Sequence, residues 1–347
     1  ANPDVILLNE FDFDSNGEAV TLFQKNYLEV GQNGLDPVEY PFVFLAESNT
    51  GIDSGFDYNN NGITGEADDA YGFGDHPGQY GMVLLSKFPI DGTKSRTFQN
   101  FLWKDMPGAL LPDDPATAGA ADWYSPEELA TFRLSSKSHW DVVIDAGGKE
   151  IHILASHPTP PVFDGAEDRN GRRNHDEIRF WVDYINPAAS SYIYDDKGHT
   201  GGLGDGDMFV IVGDQNADPN DGDSTNDAID QLLGSPFVNA RFVPRSAGGV
   251  ENNDGGGTQI GDPAEDTASF NLRADYVLHS MAGLRTQGGE VFWPISSDVR
   301  YEAVTAASDH RLVYLDLDCR PNSHFNLQVI HSSDNESSFQ DPNTLEP

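Results

Sequence analysis

Residues 209–218 read Phe209-Val210-Ile211-Val212-Gly213-Asp214-Gln215-Asn216-Ala217-Asp218. Four apolar residues in succession, three of them β-branched, are too few for a helix and suit a strand buried on both faces; the polar run ends it. The pattern recurs along the chain in 5–8, 42–46, 82–85, 142–144, 151–155, 276–278 and 312–317, each set between Gly-, Asp- and Pro-rich loops. Between these runs, 18–30 and 175–185 place Val20, Phe23, Tyr27 and Val30, and Ile178, Trp181, Val182 and Ile185, at helical spacing. A third helix is expected at Ser125-Pro126-Glu127-Glu128, where Ser caps, Pro fills the first turn and Glu128 closes a capping box. Buried strands alternating with amphipathic helices predict an α/β fold.

The 347 residues carry 20 basic and 57 acidic side chains, a formal charge of −37. With 37% hydrophobic residues the chain has material for a large core, so the acidity belongs to a folded surface rather than to a disordered tail. Such a charge disfavours nonspecific binding of nucleic acid, which needs clustered Lys and Arg. It suits a saline, secreted, periplasmic or extracellular setting. No apolar run is long enough for a membrane span, no leader precedes Ala1, and the lone Cys319 excludes an internal disulfide framework.

Several strand ends finish in residues of catalytic type: Asn9-Glu10, Ser156-His157-Pro158, Gly213-Asp214-Gln215-Asn216, and Ser308-Asp309-His310 ahead of the last strand, with Asp275 in Arg273-Ala274-Asp275-Tyr276 as a fifth. One such end is an ordinary turn; together they describe a site. As a set, with Pro3-Asp4-Val5-Ile6-Leu7-Leu8-Asn9-Glu10, they resemble the endonuclease/exonuclease/phosphatase superfamily over residues 1–318. The resemblance implies a four-layer sandwich, two packed mixed β-sheets flanked by helices, and a divalent-metal-dependent phosphoesterase.

By the same resemblance, Glu10 holds the metal with Asp309 as a second ligand, and hard oxygen donors of this kind suit Mg²⁺ or Mn²⁺, or else Ca²⁺. Asp214 and Asn216 orient the attacking water and steady the phosphoryl oxygens. His310 contacts phosphate or transfers a proton, oriented by Asp275, and His157 acts as acid for the leaving oxygen. Lys137, with Arg133 as a weaker candidate, is placed like a basic phosphate contact. The sequence departs from the family's pattern in two respects. The opening strand that precedes the Glu motif is missing from this chain, so an earlier segment of the polypeptide or another strand must take its place. Gln215 stands where an apolar or aromatic residue is usual.

Asp57-Tyr58-Asn59-Asn60-Asn61-Gly62 followed by Asp68 has calcium-loop spacing, with candidate oxygens on Asp57, Asn59, Asn61 and Asp68; the competing reading is an Asn/Gly turn. Asp12-Phe13-Asp14-Ser15-Asn16-Gly17 begins alike and is read as a turn before the first helix. After Cys319-Arg320-Pro321 the composition changes. Residues 319–347 are expected to be a tail or the opening of a second domain, since 327–336 faintly resemble the first strand of calcineurin-like metallophosphatases, with Glu336 where His is expected.

The leading expectation is hydrolysis of small or medium phosphoesters by a metal-positioned water. One alternative is a secreted nuclease with a groove built from Lys137, Arg133, Arg169, Arg172, Arg173 and Arg179; another is a non-catalytic, calcium-stabilised binding domain.

Overall fold

The computed structural model describes residues 2–32, 34–253, 259–319 and 323–324. Its centre is a six-stranded sheet built from β4 (Arg96–Thr97), β5 (Trp140–Asp145), β6 (Glu150–Ala155), β7 (Phe209–Asp214), β8 (Val238–Asn239) and β9 (Asp275–Ser280), in the order β4-β5-β6-β7-β9-β8. Within this sheet, among the described residues, only β6 and β7 pair in parallel, and the connection between them carries the longest described helix. Two three-stranded antiparallel sheets lie on one face of it. The first orders β1 (Val5–Asn9), β2 (Phe42–Phe44) and β3 (Met82–Ser86) as β1-β3-β2; the second runs β10 (Leu284–Phe292), β11 (Leu312–Cys319), β12 (Ser323–His324).

The alternation of side chains along the central strands divides the core. Val210, Val212, Ile153 and Val277 pack against Val5 and Leu7 of β1 and Val313, Leu315 and Leu317 of β11. Their neighbours Phe209, Ile211, Leu154 and Leu278 face the opposite way, against Ile178, Trp181 and Tyr184. On the outer face of β1, Ile6 and Leu8 meet Val20. Helix, six-stranded sheet, paired three-stranded sheets and helix make four layers, which is the expected α/β sandwich.

The helices differ from expectation mainly in length. α1 (Glu18–Phe23) gives way to a π-helical turn at Gln24–Leu28, so the helix ends short of Val30. Asp14 accepts from the backbone N–H groups of Glu18 and Ala19, which makes the Asp12–Asp14 turn a cap for this helix. α2 (Pro126–Leu129) has the expected Ser125/Glu128 capping box but only one turn. α3 (Arg169–Tyr184) starts six residues before His175. The short helices α4 (Asp230–Leu233), α5 (Ala247–Asn252) and α6 (Tyr301–Ala307) complete the set among the described residues. The boundary read after Cys319 and the second-domain likeness of 327–336 lie outside the described residues, apart from the two residues of β12.

Candidate active site

The antiparallel register sets Asp214, at the end of β7, directly opposite Asp275, at the start of β9. β6 delivers His157 beside them: its Nε2 is 3.4 Å from Asp214 Oδ2. His310, just ahead of β11, reaches the same oxygen at 3.9 Å through Nε2, while its Nδ1 lies 2.9 Å from Asp275 Oδ2. Asp275 Oδ2 also accepts from Thr267 Oγ1 at 2.6 Å. Thr267 Oγ1 in turn accepts from the N–H groups of Ala274 and Asp275, and this holds the bend before β9. One ligand-type atom from each of Asp214, Asp275 and His310 lies within 4.8 Å of the others, and all three residues are buried.

Burial raises the Asp214 carboxyl to about 7, with the nearby Asp275 and Glu10 carboxylates adding to the rise and His310 opposing it. For His310, burial disfavours the charged ring, but the Asp275 and Asp214 carboxylates outweigh it and hold the imidazolium up to about 10. Both shifts run the same way, towards the protonated form of each group. Burial depresses the amine of Lys137, while Glu10, Glu177 and Asp214 act in the opposite sense, which puts Glu10 and Lys137 in the field of the same cluster.

Backbone geometry at the strand ends is constrained. Glu10 and Asn216, which follow β1 and β7, adopt positive φ of 54° and 50°, a left-handed conformation that non-glycine residues take up at some cost. At Gly213 a Cβ would stand 2.0 Å from the Ser156 carbonyl oxygen, so only glycine lets β7 approach the end of β6 this closely. Asn216 N–H donates to Asp214 Oδ1 at 2.7 Å, and its side-chain amide donates to the Pro158 carbonyl at 3.0 Å. That ties the Asp214 loop to the His157 loop.

A support beneath these loops comes from α3. The buried Glu177 carboxylate accepts from Ser136 N–H at 2.6 Å, Ser136 Oγ at 3.1 Å and Thr159 N–H at 2.7 Å, and so joins the loop before β5 to the loop after β6. Asn174 donates to the carbonyls of Thr159 and Gln215. Gln215, where the family pattern has an apolar residue, is fully buried and donates to Ser156 Oγ at 3.2 Å, an oxygen that also accepts from Trp181 Nε1. The sequence reading took α3 from its apolar residues alone. The signal for its second role was Asn174 and Glu177, polar residues each four positions before Ile178 and Trp181 on the inward face. Phe270 was also missed: 46% exposed, it meets the His310 ring edge-on at 5.3 Å.

Other candidate residues are placed as follows. Asp309 is exposed next to His310, and its carboxylate helps to hold that ring protonated. Lys137 precedes β5 on a loop rather than lying within the strand. Arg133 donates to Asn49 Oδ1 at 2.6 Å and stacks over Tyr71. Of the groove arginines, Arg173 is buried and donates to the carbonyls of Leu134, Tyr71 and Arg133, Arg169 pairs with Glu167, Arg172 lies 3.5 Å from Asp113, and Arg179 pairs with Asp183. In the candidate calcium loop, Asp57 accepts from the N–H groups of Asn61 and Gly62, Asn59 Oδ1 from Asn61 N–H and Asn61 Oδ1 from Ile63 N–H; Asp68 is 3.8 Å from Arg169.

A model of the Endonuclease/Exonuclease/phosphatase family matches residues 1–310. The chain belongs to this family. Members of the superfamily are metal-dependent hydrolases that act on phosphoester bonds. No curated protein matches the sequence. Among solved structures, an endonuclease/exonuclease/phosphatase from Beutenbergia cavernae is similar over 91% of this chain at 15% identity, with a TM-score of 0.49. The chain spans 63% of that protein's length. Beta toxin from Staphylococcus aureus, solved with bound magnesium ions, is similar over 84% of this chain and 77% of its own (15% identity, TM-score 0.43). Sphingomyelinase C from Streptomyces griseocarneus is similar over 90% and 82% (18% identity, TM-score 0.37).

The donor chemistry of this family member suits a divalent cation. The partly buried Glu10 and the buried Asp275 sit close enough to Asp214 to raise its carboxyl, a concentration of oxygen donors of the kind a hard cation takes.

Proposed function

We propose that this chain hydrolyses small or medium phosphoric esters by direct attack of water on phosphorus. The observation that carries the proposal is the convergence of Asp214, His157 and Asp275 at the ends of central strands with His310 from just ahead of β11. Asp214 Oδ2, within reach of both imidazoles, takes the proton of the attacking water. His310, kept cationic by Asp275, supplies positive charge where the phosphoryl oxygens gain negative charge. His157 donates a proton to the leaving oxygen, and Lys137 offers its ammonium to the phosphate. Asn216 holds the Asp214 loop in register with His157. Glu10, with Asp309 as a second donor, would hold Mg²⁺ or Mn²⁺. When bound, the cation supplies Lewis-acid stabilisation of the phosphoryl and leaving oxygens.

Small esters are favoured over nucleic acid by the charge of −37 and by the arginines of α3, whose guanidinium groups are engaged by local carboxylates and carbonyls. The same acidity supports a secreted, saline setting. The test is hydrolysis of a phosphomonoester, a phosphodiester and plasmid DNA side by side, in Mg²⁺ and in Mn²⁺. Turnover of the small esters well ahead of DNA nicking supports this reading. Nicking at comparable efficiency would replace it with the nuclease.

A further inference from the structure

The candidate active site occupies one end of the layer in which the six-stranded sheet meets the three-stranded ones. Val210 and Val212 of β7 and Val277 of β9 belong to the core of that layer. Side chains two apart along a strand share a face, so Asp214 follows Val212 onto this inner face and Asp275 precedes Val277 on it. The opposing strand β1 lies across β7 and sends Val5 and Leu7 into the same core. By the same alternation Asn9, its last residue, is the next to face inward, and its register partner Met82 is in that core too. Glu10 adds to the rise of the Asp214 carboxyl, which puts the end of β1 at the Asp214 end of the layer.

Asn9 is 1% exposed, and neither its Oδ1 nor its Nδ2 has a hydrogen-bond partner. Among the described residues no other buried side chain is left with two such atoms. A buried amide in this condition bears the whole cost of leaving water, a cost that an apolar residue of similar shape would not incur. Such a group calls for a partner that the chain's own side chains do not supply. Its surroundings narrow the chemistry of that partner. A carboxamide oxygen is a hard donor, of the kind that Mg²⁺ and Mn²⁺ take together with carboxylates and water. Glu10, next in sequence, has a left-handed backbone that ends the extended run, so the two neighbours need not point to opposite faces as they would in a continued strand.

We propose that Asn9 Oδ1 is a further oxygen donor to the divalent cation that Glu10 would hold, the cation being the partner of this buried amide. The inference rests on the cation site proposed above and adds to it a residue that carries no charge.

Metal binding and metal-free stability of the full chain test it without any substrate. EDTA-treated, dialysed protein is titrated with Mn²⁺ by calorimetry. Wild type is expected to bind, and Asn9→Leu to bind at least about tenfold more weakly. Asn9→Asp, which keeps an oxygen in place, should bind at least as tightly as wild type. Without metal, Asn9→Leu should melt no lower than wild type, because it removes an unpartnered buried amide. Wild type that takes up no Mn²⁺ would overturn the cation site itself and the role of Asn9 with it. Wild-type binding matched by Asn9→Leu would overturn the Asn9 assignment alone. So would an Asn9→Leu variant that melts several degrees lower without metal, since the amide would then be holding the fold, or an Asn9→Asp variant as weak as Asn9→Leu.

Discussion

Asp214 and His310 act on one another's protonation, and the opposite tasks proposed for them rest on their neighbours. Replacing Asp214 by Asn keeps the volume and removes the proposed proton acceptor; the expected loss in kcat is about 10²- to 10⁴-fold with the far-ultraviolet dichroism unchanged. Asp275→Asn removes the carboxylate 2.9 Å from His310 Nδ1, so the imidazolium should titrate lower than about 10, by roughly one unit or more. NMR titration of the His310 ring and the alkaline limb of the rate profile should fall together; an unmoved ring would refute the orienting role of Asp275. Stability of the metal-free protein carries the same signature. The folded Asp214 carboxyl, raised from 3.8 to about 7, favours the protonated form, so its contribution is full below 3.8 and is lost as pH rises through 7. The raised His310 contributes fully below 6.5 and loses that contribution as pH rises through about 10. The melting temperature of the metal-free chain should therefore fall between pH 5 and 8, and less steeply in Asp214→Asn. These residues were legible in the sequence because each borders a short apolar run: Asp214 follows one, and Asp275 and His310 stand just ahead of one. Thr267 and Phe270 were not, since their contacts with Asp275 and His310 cross from a loop with no periodic signal of its own.

At the scale of elements, α3 is both a core helix and the brace of the site. Its amphipathic pattern gave away the apolar role of Ile178 and Trp181. The polar role of Glu177 depends on two loops, 135–137 and 157–159, that only the folded chain brings to it. Glu177→Ala leaves Ser136 N–H and Thr159 N–H without their acceptor inside the protein, and about 3 kcal/mol of stability is expected to go, read from the urea midpoint. A loss below about 1 kcal/mol would mean that the carboxylate is not the tie described here. Strand existence was readable wherever β-branched residues run together, as in β7, but β4 and β8 are two residues each and too short to carry a pattern. β10 was missed for a different reason. Its sequence Leu284-Arg285-Thr286-Gln287-Gly288-Gly289-Glu290-Val291-Phe292 is polar and glycine-rich, and its pairing with β11 across a bulge is what makes it a strand. Gly213→Ala tests the junction of β6 and β7: a Cβ 2.0 Å from the Ser156 carbonyl forces the strands apart, so both stability and activity should drop.

For the whole molecule, the acidic surface and the central cluster answer different questions. The charge of −37 bears on the proposed setting and substrates, whereas the layered α/β core was legible from buried runs and amphipathic helices because burial dictates both patterns. How the strands divide into one six-stranded and two three-stranded sheets was not legible, since pairing joins residues far apart in the chain. The central claim is that the family's metal-dependent phosphoester chemistry runs here through Asp214. It is tested most directly by hydrolysis of a chromogenic phosphodiester after EDTA treatment and on return of Mg²⁺ or Mn²⁺, with wild type and Asp214→Asn measured in parallel. The account predicts that wild-type turnover disappears with EDTA and returns with metal, and that Asp214→Asn stays at least about 10²-fold slower at every metal concentration. Turnover that survives EDTA, or an Asp214→Asn variant as fast as wild type, would contradict it.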